Sequence, residues 1–490
     1  MLLRSGCLHA LIAFACCPAP GARAQEPRAS AAEGPAPATT QPAAPAAEFP
    51  GPKYANLRYD DDFSYLEGPP GSYQPDFFDP IKNIRLGKDL RLSIGGEFRF
   101  RLEAETNKSF GTNDRTQDTF QLYRYLLHFD LKYRRLARVF VQGIAAFDED
   151  RDLAPRAIDE NKWDLQQGFF DVRVLGEDLP LTLRVGRQEL QYGRQRLVSP
   201  LEWANVRRRF DAAKLFWAAD PWAVDVWYAK PVPVRRSGGD HWDEEYDFYG
   251  AYVTYTGVPR HGVDVYFFAQ DKRGELQNPN GRTGDESRFT LGTRLWGRTG
   301  PWDYDGGLTG QWGRWAGDTI QAWAWAVDGG YTFENVPWKP RLGAGFDWSS
   351  GDEDPDDGKV GTFEQVFPLG HAYLGYLDLF GRQNIAAANV SLSAWPVAGK
   401  VQARVGYHAF WLDADRDALY NAGGAAGRRD PEGEAGKEVG HELDLTVSWK
   451  LDAHSSVLVG YSHFWDSDFI VRTGESEDPN LLYLQYRFRF

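Results

Sequence analysis

The sequence predicts an all-β protein, a transmembrane antiparallel β-barrel of about 18 strands in the bacterial outer membrane. Three observations favour this class. Apolar and polar residues alternate almost throughout from Leu90 to the C-terminus, with the period of a β-strand. Long and short connections alternate between the predicted strands. The chain also contains 18 Trp and 23 Tyr, residues that form the aromatic girdles of such barrels.

Residues 1–24 have the features of a secretory signal peptide. A positive charge at Arg4 precedes an apolar stretch, and Ala22-Arg23-Ala24 is a small-residue cleavage signal. We therefore expect no disulfide in the mature chain, because all three cysteines lie in this segment: Cys7, Cys16 and Cys17. A lipoprotein acylated at Cys16 or Cys17 is the alternative, which the residues before Cys16 fit poorly.

Two further segments precede the predicted barrel, which spans residues 89–490. Residues 25–50 are rich in Ala and Pro without periodicity, which predicts a disordered leader. Residues 51–88 carry aromatic side chains among Asp, Gly and Pro. We interpret this segment as a periplasmic lead-in, with a partial plug of the barrel as the alternative.

The first predicted strand shows the alternation most clearly. Leu92 and Phe98 share an apolar face, while Arg99 and Arg101 lie on a charged face. The same alternation predicts strands near 90–104, 120–133, 136–148, 165–175, 180–192, 210–219, 222–230, 246–257, 260–272, 286–298, 301–314, 319–334, 339–350, 384–395, 398–411, 439–451, 453–466 and 481–490.

The connections predict the orientation of the barrel. Those after even-numbered strands are short turns, whereas those after odd-numbered strands are mostly long, for example 193–209, 273–285 and 351–383. Bacterial barrels have short periplasmic turns and long outer loops. We therefore expect both termini in the periplasm.

The predicted lumen has one cation-rich wall. A closed barrel places the last strand beside the first, so strands 18, 1 and 2 are neighbours. Their inward faces offer the cations Arg91, Arg99, Arg101, Arg124, Lys132, Arg487 and Arg489, partly offset by acidic residues such as Glu97 and Asp130. Arginine-lined pores favour anions. The alternative is that these residues pair across the strands and hold the barrel in shape.

Arginines are densest between Leu183 and Phe210. Arg187 falls on the face of the apolar residues, and we expect a bulge at Gly186 to return it to the lumen. A strand that has already left the hydrocarbon layer is the alternative. The loop that follows carries Arg194, Arg196, Arg207, Arg208 and Arg209. We expect it to fold into the channel, rather than to bind lipopolysaccharide phosphates outside.

This region resembles the alginate export family of outer-membrane barrels. The resemblance rests on Arg184-Val185-Gly186-Arg187-Gln188-Glu189-Leu190, Asn205-Val206-Arg207-Arg208, Leu57-Arg58-Tyr59-Asp60-Asp61-Asp62 and Glu97-Phe98-Arg99-Phe100-Arg101. It implies a barrel whose Arg-rich lumen passes a polyuronate anion.

Together, these observations predict a channel that passes an anionic polysaccharide such as alginate by facilitated diffusion. The substrate-path residues would be Arg99, Arg101, Arg124, Arg184, Arg187, Arg207, Arg208, Arg487, Arg489, Glu97 and Asp130, with a gating loop at Arg194 and Arg196. A small-solute or anion-selective porin for nutrient uptake is the alternative. A barrel with an enzymatic or adhesive outer face is a third, supported only by the long loops.

Other kinds of site have little support. Asp352, Asp354 and Asp356 resemble a Ca²⁺ loop, but Pro355 interrupts it and Gly358 comes one position late. We favour an acidic outer loop, with a structural Ca²⁺ as the alternative. No catalytic motif is present, so we expect no enzyme activity. The net charge of −14 argues against nucleic acid. The expected partners are outer-membrane lipid, lipopolysaccharide, the polysaccharide and the barrel-assembly machinery, and we expect a monomer.

Overall fold

The protein forms a closed β-barrel. The structure is a computed structural model that describes residues 51–69, 71–112, 117–235 and 239–490. The predicted signal peptide (1–24) and leader (25–50) lie outside the described residues. None of the helices in these described ranges is long and apolar enough to cross a membrane.

Eighteen antiparallel strands build the barrel. They are β1 Leu90–Thr106, β2 Gln117–Tyr133, β3 Ala137–Glu149, β4 Asn161–Arg173, β5 Leu181–Gln188, β6 Phe210–Ala219, β7 Trp222–Pro231, β8 Tyr246–Tyr255, β9 His261–Gln277, β10 Thr283–Thr299, β11 Trp302–Trp315, β12 Asp318–Thr332, β13 Arg341–Ser349, β14 Ile385–Val397, β15 Val401–Trp411, β16 Glu438–Lys450, β17 Ser455–Asp466 and β18 Asn480–Arg489. Each strand pairs with the next along the chain. β18 pairs with β1 from Glu97 opposite Arg489 to Thr106 opposite Asn480, which closes the barrel. The predicted fold class is confirmed.

The few other elements are short. The short strand Ile84–Leu86 pairs antiparallel with the first residues of β1. The short strand Lys359–Val360 pairs in parallel with β12. Leu419–Tyr420 and Ala426–Arg428 form a separate hairpin. The helices are 3-10 turns at Arg58–Asp60, Ser64–Glu67, Asp79–Ile81, Lys108–Gly111 and Gly370–Ala372, and one α-helix at Asp468–Thr473.

The two faces of each strand differ as the alternation predicts. On β2, the outward side chains of Tyr125 and Leu127 are 45% and 47% exposed, whereas the inward Arg124 is 0% exposed. Exposed tryptophans lie near both ends of the barrel, at Trp222, Trp302, Trp338 and Trp449 towards one end and Trp163, Trp312, Trp323 and Trp465 towards the other. This apolar outer surface with aromatic residues at both rims suits a bilayer.

Most short turns lie at one end of the barrel, called here the short-turn end, and most long connections lie at the other. The two-residue turn 316–317 between β11 and β12 is a short connection at that other end. The prediction of a long loop at residues 273–285 is wrong. β9 continues to Gln277 and β10 begins at Thr283, with a register shift between Lys272 and Leu276. These strands extend as a polar hairpin beyond the apolar part of the barrel, which is why the sequence resembled a loop.

Two long connections fold into the barrel and fill part of its lumen. The inner loop (residues 189–209) follows β5, and the covering loop (residues 350–384) follows β13. Their backbones pair, because Phe367 N–H donates to Leu197 O at 2.8 Å and Ser199 N–H donates to Phe367 O at 2.9 Å. The loops contribute the apolar side chains of Leu190, Tyr192, Leu197, Val198 and Phe363. These pack against inward residues of β6–β9, namely Phe210, Trp227, Phe248 and Phe268. The burial of these side chains holds both loops inside.

The lead-in (residues 51–88) enters the lumen from the short-turn end. There, Tyr54 Oη and His454 Nδ1 lie 3.0 Å apart. The ring of Tyr59 packs edge-on against Phe169 at 5.3 Å, and its hydroxyl donates to Glu189 O on the inner loop at 3.2 Å. Lys82 donates to Ile94 O, and burial lowers the pKa of Lys82 to about 8. The lead-in thus contacts both the wall and the inner loop.

A candidate substrate path in the lumen

Three arginines on neighbouring strands meet on the inner face of the barrel. Arg99 on β1 lies opposite Arg487 on β18 and opposite Arg124 on β2. Residues opposite each other in an antiparallel pair share a face. Arg99 and Arg124 are 1% and 0% exposed. The structure therefore brings the predicted cationic wall together.

The inner loop covers this wall with backbone oxygens. Arg99 donates to Glu202 O and Ala204 O, both at 2.8 Å. Arg101 donates to Trp203 O at 2.7 Å, and its guanidinium lies 3.9 Å from the Trp203 ring centroid. Carbonyl oxygens carry no net charge, so these bonds satisfy the donors of Arg99 without neutralising it. Arg101 also has a carboxylate partner, because its Nε lies 2.6 Å from Oε1 of the buried Glu103.

Asn205 fixes this part of the inner loop to the wall. Its side-chain amide donates to Tyr123 O and Phe147 O, both at 3.1 Å, and to Asp159 O at 2.8 Å. Its Oδ1 accepts a hydrogen bond from Arg99 at 3.2 Å. One buried amide therefore joins the inner loop to β1, β2 and β3.

Two fully buried glutamates neutralise arginines at this site, Glu97 on the wall and Glu189 on the inner loop. Glu97 Oε1 accepts from Arg124 Nε and Nη2 at 2.9 and 2.6 Å, and Glu97 Oε2 lies 3.3 Å from Arg489 Nε. Arg58 of the lead-in also donates to Glu97. Glu189 holds Arg207 through two bonds of 2.7 and 2.6 Å. Buried charges are generally paired in this way because desolvation without a partner is costly.

A third carboxylate, Glu202, reaches the same cluster from the inner loop. Its Oε1 lies 2.9 Å from Arg124 Nη2 and 3.3 Å from Arg487 Nη1. Oε1 also lies 3.7 Å from Arg58 Nη2, and Oε2 contacts Arg207. The Glu202 side chain is 21% exposed, whereas that of Glu97 is 0% exposed. Glu202 is thus the more accessible of the two.

The arginines of the predicted gating loop bind the opposite wall. Arg196 Nη1 lies 2.6 and 2.8 Å from the two oxygens of Asp347 on β13, and Arg196 Nη2 contacts Asp328 on β12. Arg194 makes longer ion pairs of 3.9 Å with Asp328 and 4.0 Å with Asp305. The inner loop is therefore held by charges on both sides of the lumen.

Two small cavities lie beside the inner loop. One, of about 60 Å³, is lined by residues that include Tyr192, Arg194, Arg196, Arg294 and Asp305. The other, of about 30 Å³, is lined by residues that include Arg194, Asp328, Arg341, Asn389, Ser391 and Arg404. Within the described ranges, the guanidinium of Arg404 makes no hydrogen bond or ion pair, although the backbone of Arg404 pairs within the sheet. Each cavity has room for a few water molecules, so neither admits a sugar chain in this conformation.

The other predicted path residues lie elsewhere along the lumen. Arg184 pairs with Asp171 through bonds of 2.7 and 2.8 Å and lies over the rings of Tyr59 and Phe169. Asp130 accepts two bonds from Arg138, at 2.6 and 2.9 Å.

Arg208 is a partly buried residue of the inner loop that contacts the covering loop. It donates to Ser199 O at 3.1 Å and Pro368 O at 3.3 Å. Burial lowers the pKa of Arg208 to about 10. These contacts give Arg208 a role in holding the inner loop against the covering loop.

The prediction for Arg187 is wrong. β5 pairs with both neighbours without a register shift, so no bulge turns Arg187 inward. It shares the outer face with Val185, which is 48% exposed. There it forms a two-bond ion pair of 2.8 and 2.9 Å with Asp211, its cross-strand neighbour. Arg187 therefore lies on the outer face of the barrel and not in the predicted substrate path.

The aspartates of the weak Ca²⁺ motif hold their own loop. Asp352 accepts the N–H groups of Asp354 and Gly361 at 3.2 and 2.9 Å. Asp354 accepts the N–H of Asp356 at 3.1 Å. A search of the described residues finds no group of three or more His, Cys, Asp or Glu side chains that could hold a metal ion.

Sequence reasoning did not single out two residues of the cluster. Arg58 lies in the lead-in motif, but no local pattern indicates that it reaches Glu97. Glu202 lies between the two arginine groups of the inner loop, and this position was the one available signal.

Comparisons with known proteins agree with this architecture. The family model for alginate export matches residues 90–483. No curated protein sequence matches the chain. Similar solved structures include Pseudomonas aeruginosa OccD3 (OpdP), with 13% identity and a TM-score of 0.55 over 81% of this chain and 91% of that chain. Acinetobacter baumannii OccAB1 has 12% identity and a TM-score of 0.54 over 81% and 96%. At these identities the likeness concerns the fold.

Proposed function

Because the chain belongs to the alginate export family, we propose that this outer-membrane channel passes an anionic polysaccharide, an alginate-like polyuronate, by facilitated diffusion. The observation that carries the proposal is the cationic wall formed by Arg99, Arg101, Arg124 and Arg487 inside the barrel. Guanidinium groups bind carboxylates through paired charge-assisted hydrogen bonds. A polymer with one carboxylate on each sugar would find several such partners in series.

The mechanism requires the inner loop to move. The backbone oxygens of Glu202, Trp203 and Ala204 occupy hydrogen-bond donors of Arg99 and Arg101. When the inner loop withdraws, uronate carboxylates replace these oxygens on the same donors. Each guanidinium thus exchanges hydrogen bonds to loop oxygens for hydrogen bonds to a uronate carboxylate. Because one set of bonds replaces another, each carboxylate binds and leaves with a small change in free energy.

We also propose that the lead-in acts as a partial plug at the short-turn end. Arg58 joins the buried Glu97, and Tyr59 packs between β4 and the inner loop. These contacts lie on the short-turn side of Arg99 and Arg101. A substrate that enters from this end must displace the lead-in before it reaches Arg99.

A small-solute or anion-selective porin is the second candidate function. The observation in its favour is the size of the two cavities, about 60 and about 30 Å³, beside Arg194 and Arg404. A small anion would need less displacement of the inner loop than a polymer. This function shares the fold and the cations but predicts no preference for chains of sugar acids.

Single-channel recording in planar bilayers separates the two. While a channel is open, we expect oligouronates of increasing length to cause brief interruptions of its current at progressively lower concentration, because more guanidiniums are engaged at once. Neutral oligosaccharides of the same length should have no such effect. Equal block by neutral and acidic oligosaccharides, or block by monomers alone, would contradict polyuronate passage and favour the porin.

A further inference from the structure

We propose that Glu202 sets the specificity of opening, because it occupies in the closed channel the carboxylate site that a uronate takes in the open channel. This inference rests on the proposed function and adds a residue that controls it. Glu202 lies on the inner loop and not on the barrel wall. Its carboxylate is therefore able to leave the arginine cluster while the arginines of the strands stay in place.

The contacts of Glu202 resemble those expected of a bound sugar acid. Its carboxylate meets guanidiniums from the lead-in, the inner loop, β2 and β18, namely Arg58, Arg207, Arg124 and Arg487. Arg124 donates to it at 2.9 Å. A carboxylate held by several guanidiniums is the interaction that a polyuronate offers.

Glu97 provides an internal comparison. It also binds guanidiniums from the lead-in, β2 and β18, through Arg58, Arg124 and Arg489. However, Glu97 belongs to β1 and has no exposed side-chain surface. Glu97 is thus a fixed part of the wall, whereas Glu202 is a partly exposed part of a loop.

Withdrawal of Glu202 removes the direct ion-pair partner of Arg487. In the described part of the chain, Glu202 is the only ion-pair partner of Arg487. Arg124 keeps Glu97, but Arg99 loses the backbone oxygens that move with Glu202. Arg99 is 1% exposed in the closed channel, and a buried cation that loses its hydrogen-bond partners is strongly unfavourable. Opening is therefore disfavoured until another carboxylate takes the vacated site.

This exchange selects for the shape of the anion as well as its charge. A uronate presents two oxygens in a plane, as Glu202 does, and a polymer delivers several such groups to one wall. Chloride offers one spherical charge, and a neutral sugar offers none. The channel should consequently stay mostly closed in chloride and open when oligouronate is present.

The test compares the wild-type channel with Glu202→Gln in planar bilayers, with chloride alone and with added oligomannuronate. Glutamine keeps the size of the side chain but removes its charge. We expect E202Q to raise the open probability in chloride roughly tenfold or more, because the closed state loses the charged hydrogen bonds made by the Glu202 carboxylate. We also expect E202Q to lose most of its response to oligomannuronate, and Glu202→Asp to restore part of it.

The matched control is Glu334→Gln, which removes an exposed glutamate whose partner Arg298 lies at the short-turn end. It should behave as wild type. Heat-dependent mobility on a denaturing gel checks that each variant forms a folded barrel.

The outcomes are distinguishable. Oligomannuronate that opens wild type and E202Q equally, with equal open probability in chloride, overturns the role of Glu202 and leaves the proposed function intact. A wild-type channel that does not respond to oligomannuronate overturns the proposed function and this inference with it.

Discussion

Arg99 and Arg487 lie directly opposite each other on β1 and β18, the two strands that close the barrel. The final strand therefore completes both the cylinder and its cationic wall. Like charges opposite each other repel, and the surrounding groups offset this repulsion. Arg99 is held by oxygens of the inner loop, and Arg487 by the carboxylate of Glu202. The arrangement is stable only while the inner loop, or another source of oxygens, covers the wall.

Reversal of charge on the wall should reverse selectivity. In Arg99→Glu/Arg101→Glu, the new carboxylates face the backbone oxygens of the inner loop and repel them. We expect the reversal potential in a KCl gradient to change sign, from anion to cation preference, and the conductance to rise several-fold as the inner loop is expelled. The matched control is Arg134→Glu/Arg135→Glu, a change of equal charge in an exposed turn. Unchanged anion preference in the first variant would refute the assignment of the wall.

Loss of the Asn205 anchor should open the channel without a change of charge. In Asn205→Ala, the inner loop loses its bonds to three backbone oxygens and to Arg99, at a cost of about 1–3 kcal/mol. We expect a higher open probability with anion selectivity retained, measured on single channels. Asn421→Ala removes an asparagine from an outer hairpin and serves as control. If N205A gates like wild type, Asn205 does not anchor the closed state.

Truncation of Tyr59 should release the lead-in. Tyr59 is 6% exposed and packs on Phe140 and Phe169, so Tyr59→Ala should cost about 3 kcal/mol of docking energy. We expect faster proteolysis within residues 51–88 of detergent-solubilised protein. The control is Phe77→Ala, which changes a side chain that is 86% exposed. Protease should cleave this variant at the wild-type rate. Equal protection of Y59A and wild type would mean that the lead-in is held without Tyr59.

Arg184 and Arg187 should differ because they are three positions apart on β5 and therefore lie on opposite faces. Arg184 lies inside the barrel with Asp171, whereas Arg187 lies outside with Asp211. We expect Arg184→Gln to weaken anion selectivity and lower thermal stability, because it leaves Asp171 buried and unpaired. Arg187→Gln should leave the reversal potential at the wild-type value. A larger shift in R187Q than in R184Q would contradict the orientation of β5.

The strands were predictable because alternation is a local signal. Every residue of β2 has a neighbour two positions away on the same face, so lipid and lumen separate the sequence into two sets. The adjacency of Arg99, Arg124 and Arg487 then follows from closure alone. The same reasoning failed at Arg187, which interrupts an apolar face. The sequence looks the same whether a bulge turns such a residue inward or an ion pair holds it on the outer face.

The contacts of the inner loop could not be predicted. Glu202 and Arg487 are far apart in the chain, and their contact depends on how the inner loop enters the barrel. The oxygens that bind Arg99 belong to the backbone, and their positions depend on the loop conformation and not on the identity of the side chains. The sequence therefore predicts where the cations lie, but not what covers them.

Release of polymer from vesicles tests polyuronate passage most directly. Liposomes that contain the purified channel are loaded with a fluorescent oligouronate and a neutral oligoglucan of equal length, and efflux of both is followed. We expect the oligouronate to leave through the wild-type channel much faster than the oligoglucan, and this preference to disappear in R99E/R101E. Equal efflux of the two polymers, or retention of both while small anions escape, would contradict the account.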